Sequence, residues 1–228
     1  MQIPALVVFD MAGTTIEDAG QVPAAFMQVL GDHGIEITEG QLNALRGASK
    51  RDAIRHFAAQ QGAGNLEART DKIFGDFRSH LSALFRSGGV KPIAGAEATF
   101  AWLRDRKIKI ALNTGFDRTI ADLVVQAVGW QAAVDAIVCG DDVANGRPAP
   151  DLIFKAMERA GISAPDRVMA VGDTVLDLRA GRNAGAGCVV GVLSGAHGRE
   201  QLEKEPHDAL IASIAELPGL IGVHTRSL

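Results

Sequence analysis

The chain has 228 residues, of which 47% are hydrophobic, and a formal net charge of −4. This length allows one large domain or a core with a smaller insert. The charge gives no electrostatic reason to expect a nucleic acid or an anionic membrane as a partner, and no apolar run approaches the roughly 18 residues of a membrane span. The two cysteines, Cys139 and Cys188, lie in apolar runs, which is typical of buried thiols in a reduced, cytoplasmic protein.

The first predicted strand covers residues 6–10 and ends on Asp10, after which the chain turns through small residues. A parallel strand delivers such a carboxylate to the carboxyl edge of its sheet, where open α/β folds bind ligands. Asp10 is therefore a candidate nucleophile. A hydrolase that uses it would normally carry an acid two residues later, and Ala12 stands there instead.

The stretch from about residue 20 to residue 90 shows helical patterns and no convincing strand. The predicted helices cover residues 23–30, 39–45, 49–60 and 66–85. The apolar stripe of the last of these helices is either the core of this helical segment or, in part, the interface of a homodimer.

From about residue 92, predicted strands and helices alternate. The strands cover residues 108–112, 136–139, 168–171, 188–192 and 209–211, and the helices cover residues 96–106, 118–128, 149–160 and 176–183. Such alternation predicts a parallel sheet covered on both faces. The expected fold is α/β, with a Rossmann-like core of residues 1–18 and 91–228 and an inserted all-helical cap of residues 19–90.

Polar residues of complementary kinds follow four of the predicted strands, namely Asp10, the run Asn113-Thr114-Gly115, Arg147, and Asp173 with Asp177. The glycine beside Thr114 lets backbone amides approach an anion closely. A nucleophilic carboxylate, a hydroxyl, a cation and further acids predict a phosphoryl-transfer site. Because clustered acids repel one another, they indicate a hard divalent cation, and oxygen ligands favour Mg²⁺.

These motifs, in this order and with a helical insert after the first, resemble those of the haloacid dehalogenase-like hydrolase superfamily. The resemblance covers nearly the whole chain. It implies that Asp10 forms an aspartyl-phosphate and that Thr114 and Arg147 bind the phosphoryl oxygens. The implied metal ligands are Asp10, the Ala12 carbonyl and Asp173, with Asp177 in a supporting position. The expected substrate-binding residues are Ala12, Gly13, Thr14, Arg46, Gly47, Asn113 and Gly115.

Two residues differ from the pattern of most superfamily members, and they narrow the resemblance to one subfamily. Most members of the superfamily have aspartate at the position of Ala12 and lysine at that of Arg147; the combination found here is similar to that of the phosphonatase subfamily. Phosphonatases break a carbon–phosphorus bond, so no alkoxide leaves and no acid is needed at an oxygen. In that subfamily a cap lysine forms an iminium with the substrate aldehyde, and cleavage then releases an enamine.

The segment 47–52 resembles the Gly-x-x-Lys-x-Asp pattern of that subfamily, which makes Lys50 the candidate amine. Ser49 and Asp52 resemble a capping box, so Lys50 is expected in the first turn of a helix. The helix dipole, Arg46 and Arg51 are expected to lower the pKa of its amine. The alternative is a solvated lysine that merely contacts the substrate.

Two positions beside Lys50 differ from the subfamily pattern. Arg46 stands where the subfamily has methionine, and Ala53 where it has histidine. Arg46 would bring extra positive charge near the substrate. The expected substrate class is therefore the 2-oxoalkylphosphonates, including those with an additional anionic or polar group.

Three hypotheses follow for the function. The leading one is a Mg²⁺-dependent hydrolase that cleaves the carbon–phosphorus bond of a small phosphonate. The second is a phosphate-monoester phosphatase, against which Ala12 argues because the general acid is missing. The third is a catalytically weak binding or regulatory protein, against which the intact set of strand-end residues argues.

Overall fold

The computed structural model describes residues 2–62 and 64–223, and within them a single parallel sheet forms the centre of the fold. Its strands are β1 (Leu6–Asp10), β2 (Lys109–Asn113), β3 (Ala136–Val138), β4 (Val168–Gly172), β5 (Cys188–Val192) and β6 (Ala209–Ile211). Their order is β3-β2-β1-β4-β5-β6. The predicted α/β class with a parallel sheet is therefore confirmed.

The helices lie in two groups. The first group is inserted between β1 and β2 and contains α1 (Gln21–Asp32), α2 (Glu39–Asn43), α3 (Lys50–Ala58) and α4 (Leu66–Gly88). The second group begins with α5 (Ala96–Asp105), α6 (Arg118–Val128), α7 (Asp151–Ala160) and α8 (Val175–Asn183), and it ends with the short helices α9 (Arg199–Leu202) and α10 (Leu217–Val223).

The sheet is built from nearly continuous apolar strands because both of its faces are covered. Strands β1, β4 and β5 are buried along their whole length. The register sets Asp10 beside Asn113 and Phe9 beside Val171, so the ends of β1, β2 and β4 lie level with one another. The strand order runs outward in opposite directions from β1 and β4, and open α/β sheets bind ligands at such a switch point.

The inserted helices have an apolar core of their own. Helix α4 packs against α1 and α3, and the rings of Phe26 and Phe77 lie 4.5 Å apart between their centroids. The apolar stripe of α4, which includes Ile73, Phe77 and Leu81, is buried within the chain. It therefore serves as core of the helical insert.

All predicted strands and helices are present, with bounds that differ by a few residues. The strand predicted over 108–112 extends to Asn113 because this residue pairs with both Asp10 and Val138. Helices α9 and α10 were not predicted, since neither is long enough to show a period. Residues 224–228 of the predicted core lie outside the described residues.

The two cysteines are free and buried, as predicted. Burial raises the pKa of Cys139 to about 12 and that of Cys188 to about 11, so both thiols are inert. None of the helices in the described part of the chain combines the length and the apolar character that a membrane crossing requires.

Candidate active site

Three buried carboxylates meet at the carboxyl ends of β1 and β4. Asp10 ends β1, Asp173 follows β4, and Asp177 lies in the first turn of α8. Each offers one oxygen within 4.8 Å of the others. Burial raises the pKa of Asp10 to about 6, against the opposing effect of Arg147. Burial, together with Asp10 and Asp177, raises the pKa of Asp173 well above its ordinary value.

Asp173 is held by residues of the β1 turn and of the loop after β5. The Thr14 hydroxyl donates to one of its oxygens at 3.0 Å, and the Ala196 backbone N–H donates to the other at 2.7 Å. Gly13 has φ of 91°, and a Cβ there would lie 2.5 Å from the Asp173 carboxylate. Thr14 thus holds the acid, and Gly13 leaves room for it; the assignment of both residues to substrate binding stays a prediction.

The buried Arg147 side chain contacts two of the three carboxylates. Its Nη1 lies 2.7 Å from Asp10 Oδ1 and 3.0 Å from Asp177 Oδ1. Its Nη2 donates to the Asn113 side chain at 2.6 Å, and Nη1 donates to the Gly47 carbonyl at 3.3 Å. The side chain is 1% exposed, and its Nε has no partner within the described residues. Asn113, predicted to bind substrate, therefore orients this guanidinium.

Asp177 has both of its oxygens engaged. The backbone N–H of Thr174 donates to Oδ2 at 3.0 Å and the Thr174 hydroxyl does so at 2.6 Å, while Oδ1 faces Arg147. Thr174 caps α8 by accepting from the Asp177 backbone N–H, and Asp177 completes the capping box by accepting from the Thr174 backbone N–H. These contacts favour a supporting position over direct coordination of a metal.

The inserted segment brings Lys50 to this edge of the sheet. Ser49 caps α3 by accepting from the Asp52 backbone N–H at 3.3 Å, but the reciprocal bond of a full capping box is not among the contacts of this cap. The Lys50 backbone N–H donates to the Gly115 carbonyl at 3.0 Å. The Lys50 amine donates to the Ala48 carbonyl at 3.3 Å and lies 5.4 Å from the centroid of the Phe116 ring.

The pKa of the Lys50 amine is lowered to about 8, and the largest cause is burial. Asp10 opposes this effect, and Arg147 and Arg46 add to it. Arg51, which was expected to contribute, points elsewhere: its guanidinium pairs with Asp71 at 2.7 Å and with Glu67 at 2.9 Å. The prediction of a lowered pKa is confirmed, but removal of the amine from water accounts for it more than neighbouring charge does.

A cavity lies between the insert and the sheet edge. The predicted residues on its wall are Asp10, Ala12, Arg46, Gly47, Lys50, Thr114, Gly115, Arg147 and Asp173. The predicted residues that stand behind the wall are Gly13, Thr14, Asn113 and Asp177. The cavity has a volume of about 50 Å³, and a single water molecule needs roughly 10–15 Å³. The space therefore suits a compound of a few heavy atoms.

Sequence reasoning missed several residues of the wall. Phe116 lies under the Lys50 amine, and Asp18 forms an ion pair with Arg46. Ala53 was noted as a departure from a pattern and not as a wall residue, although it lines the cavity. Phe116 directly follows the motif Asn113-Thr114-Gly115, so a longer reading of that strand end would have found it. Nothing local in the sequence indicates the Asp18 pair.

Comparison with known proteins adds to this geometry. The family described as haloacid dehalogenase-like hydrolases matches residues 4–185. A phosphonoacetaldehyde hydrolase from Bacillus cereus is 33% identical over 218 residues, which cover 90% of this chain and 82% of the relative.

Two solved structures share the fold. A hydrolase from Pseudomonas syringae superposes with a TM-score of 0.85 at 22% identity, covering 96% of this chain and 98% of the other. A phosphonoacetaldehyde hydrolase-like protein from Oleispira antarctica gives a TM-score of 0.83 at 23% identity, covering 99% and 95%.

Proposed function

Because the chain belongs to the haloacid dehalogenase-like hydrolase family, we propose that it cleaves the carbon–phosphorus bond of a 2-oxoalkylphosphonate. Asp10 is the nucleophile toward phosphorus, and Lys50 is the amine that activates the carbon side. The observation that carries this proposal is that a buried amine with a pKa of about 8 shares one small cavity with Asp10. Ala12, on the same wall, supplies no acid for an oxygen leaving group.

In the first stage the free Lys50 amine adds to the substrate carbonyl, and loss of one water gives an iminium. Asp10 then attacks phosphorus. The electron pair of the carbon–phosphorus bond moves toward the iminium, which becomes an enamine, and the phosphoryl group is left on Asp10 as an aspartyl-phosphate.

In the second stage one water hydrolyses the aspartyl-phosphate and restores the Asp10 carboxylate. The enamine takes up a proton at carbon, and a second water releases the carbonyl product from Lys50. The water lost in the first stage balances one of these two, so the net reaction consumes one water and yields a methyl carbonyl compound and phosphate.

In this proposal, Thr114 and Arg147 donate hydrogen bonds to the phosphoryl group. Thr114 lines the cavity at the end of β2, and its hydroxyl accepts from the Phe116 N–H at 3.1 Å, which leaves the O–H free to donate. Arg147 is fixed by Asn113 and offers an Nε without a partner among the described residues. Both supply donors where phosphoryl oxygens gain charge.

The donor set also fits Mg²⁺. Three buried carboxylates face a single guanidinium, and Asp173 makes no ion pair within the described residues. Burial, followed by repulsion from the neighbouring carboxylates, raises the pKa values of Asp10 and Asp173, and a bound cation would oppose both effects. Asp10, Asp173 and the Ala12 carbonyl would hold the ion, and Asp177 would orient Arg147 beside it. The ion would neutralise charge on the phosphoryl oxygens.

In this proposal, the core and the helical insert have different roles. Residues 1–18 and 91–228 act as the catalytic core, and residues 19–90 act as a cap that closes over the substrate. The contacts that join the two parts include Lys50 N–H to the Gly115 carbonyl, Arg147 to the Gly47 carbonyl, Arg46 to Asp18, and Arg78 to Asp117 at 3.4 Å. Closure excludes water from the iminium and sets the amine beside Asp10.

The test is chemical trapping. The protein is incubated with Mg²⁺ and phosphonoacetaldehyde or 2-oxopropylphosphonate, with and without borohydride, and phosphate release and the mass of the Lys50 peptide are measured. We expect phosphate release and a reduced adduct on Lys50. Lys50→Arg, which keeps the charge but forms no iminium, is expected to lose both.

The matched control is Lys72→Arg, because Lys72 is an exposed lysine on α4. This variant is expected to keep both the phosphate release and the adduct. Hydrolysis of phosphate esters without an adduct would overturn the proposal in favour of a phosphatase. Absence of both activities would favour a binding protein.

A further inference from the structure

Arg46 lines the cavity but has no role in the reaction proposed above. It lies in the turn before Gly47, where φ of 87° carries the chain from α2 toward α3. Its guanidinium pairs with Asp18, and this is its one side-chain hydrogen bond within the described residues. A guanidinium has five N–H donors, so most of them are available to a ligand in the cavity.

The Arg46–Asp18 pair lies close to the Lys50 amine. Both groups act on its charge, and Arg46 acts more strongly than Asp18. All three side chains, Lys50, Arg46 and Asp18, line the same cavity. Asp18, whose side chain is 13% exposed and also lines the cavity, fixes the position of the guanidinium. An anion on the substrate would bind the guanidinium N–H groups that Asp18 does not use.

The wall also has room beside the amine. Lys50 and Ala53 are three residues apart on α3 and lie on the same side of that helix. Ala53 is 3% exposed and lines the cavity with only a methyl group. A larger side chain at this position would fill the space between the amine and the cap core.

Substrate chemistry specifies what this space would hold. The carbonyl carbon of a 2-oxoalkylphosphonate carries the phosphonomethyl group and one further substituent. When the carbon is bonded to the Lys50 nitrogen and the phosphonomethyl group extends to Asp10, the second substituent lies beside the nitrogen and away from Asp10. Lys50, Arg147 and Arg46 are the cations on the cavity wall within the described residues. The proposed reaction assigns Lys50 to the carbonyl carbon and Arg147 to the phosphoryl group, which leaves Arg46 for the second substituent.

We propose, resting on the function proposed above, that this second substituent is a carboxylate and that Arg46 binds it. The substrate class is then a 2-oxo-3-phosphonocarboxylic acid, and the products are phosphate and a 2-oxo acid with a terminal methyl group. A planar guanidinium pairs with a carboxylate through two parallel hydrogen bonds. Arg46 is thus a specificity residue for the carbon side of the substrate.

The experiment compares three phosphonates that differ only at this substituent: phosphonoacetaldehyde (hydrogen), 2-oxopropylphosphonate (methyl) and 3-phosphonopyruvate (carboxylate). Phosphate release gives kcat/KM for each. We expect the carboxylate compound to exceed the methyl compound by tenfold or more. In Arg46→Met, whose side chain is unbranched and uncharged, the ratio of these two values is expected to fall by about 100-fold, as for a lost charge-assisted pair.

Arg55→Met is the matched control, because Arg55 lies on the exposed side of α3, outside the cavity wall, and pairs with Glu67 at 2.7 Å. It is expected to leave the ratio unchanged. The inference is wrong if 2-oxopropylphosphonate or phosphonoacetaldehyde is turned over and 3-phosphonopyruvate is not, or if Arg46→Met leaves the ratio intact; the proposed function survives both results. If none of the three releases phosphate, the proposed function itself fails.

Discussion

The carbonyl oxygen of Gly115 accepts a hydrogen bond from the backbone N–H of Lys50 at 3.0 Å. This contact joins the end of β2 to the first residue of α3, and so it connects the strand-end motif with the amine for which we propose a role on the carbon side. The approach is close because Gly115 has no side chain. A Cβ on Gly115 would lie 2.3 Å from the Ala48 carbonyl oxygen and 3.4 Å from the Ser49 nitrogen.

Gly115→Ala is therefore expected to prevent closure of the cap. The three atoms nearest to the added methyl group belong to the insert, so we expect the core to fold while the insert is held away. We expect the Lys50 adduct with phosphonoacetaldehyde to fall at least tenfold, with unfolding by urea changed by less than about 1 kcal/mol. Mass spectrometry of the trapped protein and equilibrium unfolding measure the two effects.

Gly146→Ala serves as the control for that substitution. A Cβ on Gly146 would face the same segment, but at 3.4 Å from the Ser49 Cβ, which is an ordinary contact. Equal adduct yields for both variants would contradict the role assigned to the Gly115 contact.

The second prediction concerns pH. Only the unprotonated Lys50 amine adds to a carbonyl, and burial lowers the pKa of this amine to about 8. The rate of adduct formation is expected to rise about tenfold per pH unit below 8 and to level off above it. Non-specific labelling of the exposed Lys72 on α4 provides the reference. A Lys50 rate that parallels that of Lys72 up to pH 10 would show that burial does not activate the amine.

The third prediction is a gain of stability when the amine is removed. Below pH 8 the folded protein holds a charged Lys50 amine in a site that disfavours it, at a cost of about 3 kcal/mol for a pKa lowered from 10.5 to about 8. Lys50→Met is thus expected to unfold at higher urea concentration at pH 7. Between pH 8 and 10.5 the folded amine loses its proton before the unfolded one, so the advantage disappears. Lys72→Met, on the surface, should show no such pH-dependent gain.

The fourth prediction tests whether the absence of an acid at Ala12 limits the hydrolysis of phosphate esters. Ala12→Asp places a carboxylate on the cavity wall where a leaving alkoxide would need a proton. Hydrolysis of an unactivated alkyl phosphate such as glycerol 2-phosphate is expected to rise about 10–100-fold, since a general acid commonly contributes 10²–10⁴-fold. Ala12→Asn, of the same shape and without the acid, should give no increase. If the unmodified protein already hydrolyses esters as fast as Ala12→Asp does, alanine at this position does not mark carbon–phosphorus chemistry.

The fifth prediction addresses the metal. Asp173→Asn removes a buried charge that makes no ion pair within the described residues, and burial raises the pKa of that carboxyl. We expect a higher melting temperature without Mg²⁺ and loss of the stabilisation that Mg²⁺ gives to the unmodified protein. Asp166→Asn, at an exposed acid, should retain the response to Mg²⁺. A variant at Asp173 that is still stabilised by Mg²⁺ would contradict the assigned ligand set.

The amino-acid sequence by itself determined the fold class and the strand-end motifs. Both depend on local properties: apolar runs of strand length, helical periodicity, and the fact that parallel strands bring their carboxyl ends to one edge. Asp10, Thr114 and Asp173 could be placed there because each directly ends or follows a buried run. Ala12, Arg147 and Lys50 could be singled out because they stand within short motifs.

Only the tertiary structure decided how these side chains are paired and buried. Arg51 turns outward to Asp71, Arg46 pairs with Asp18 across 28 positions, and Asn113 orients Arg147 across 34. The pKa of Lys50 depends on closure of the insert over the sheet. Such contacts join residues that are distant along the chain, and the loss of water around an amine is a property of the packed molecule, to which no local pattern corresponds.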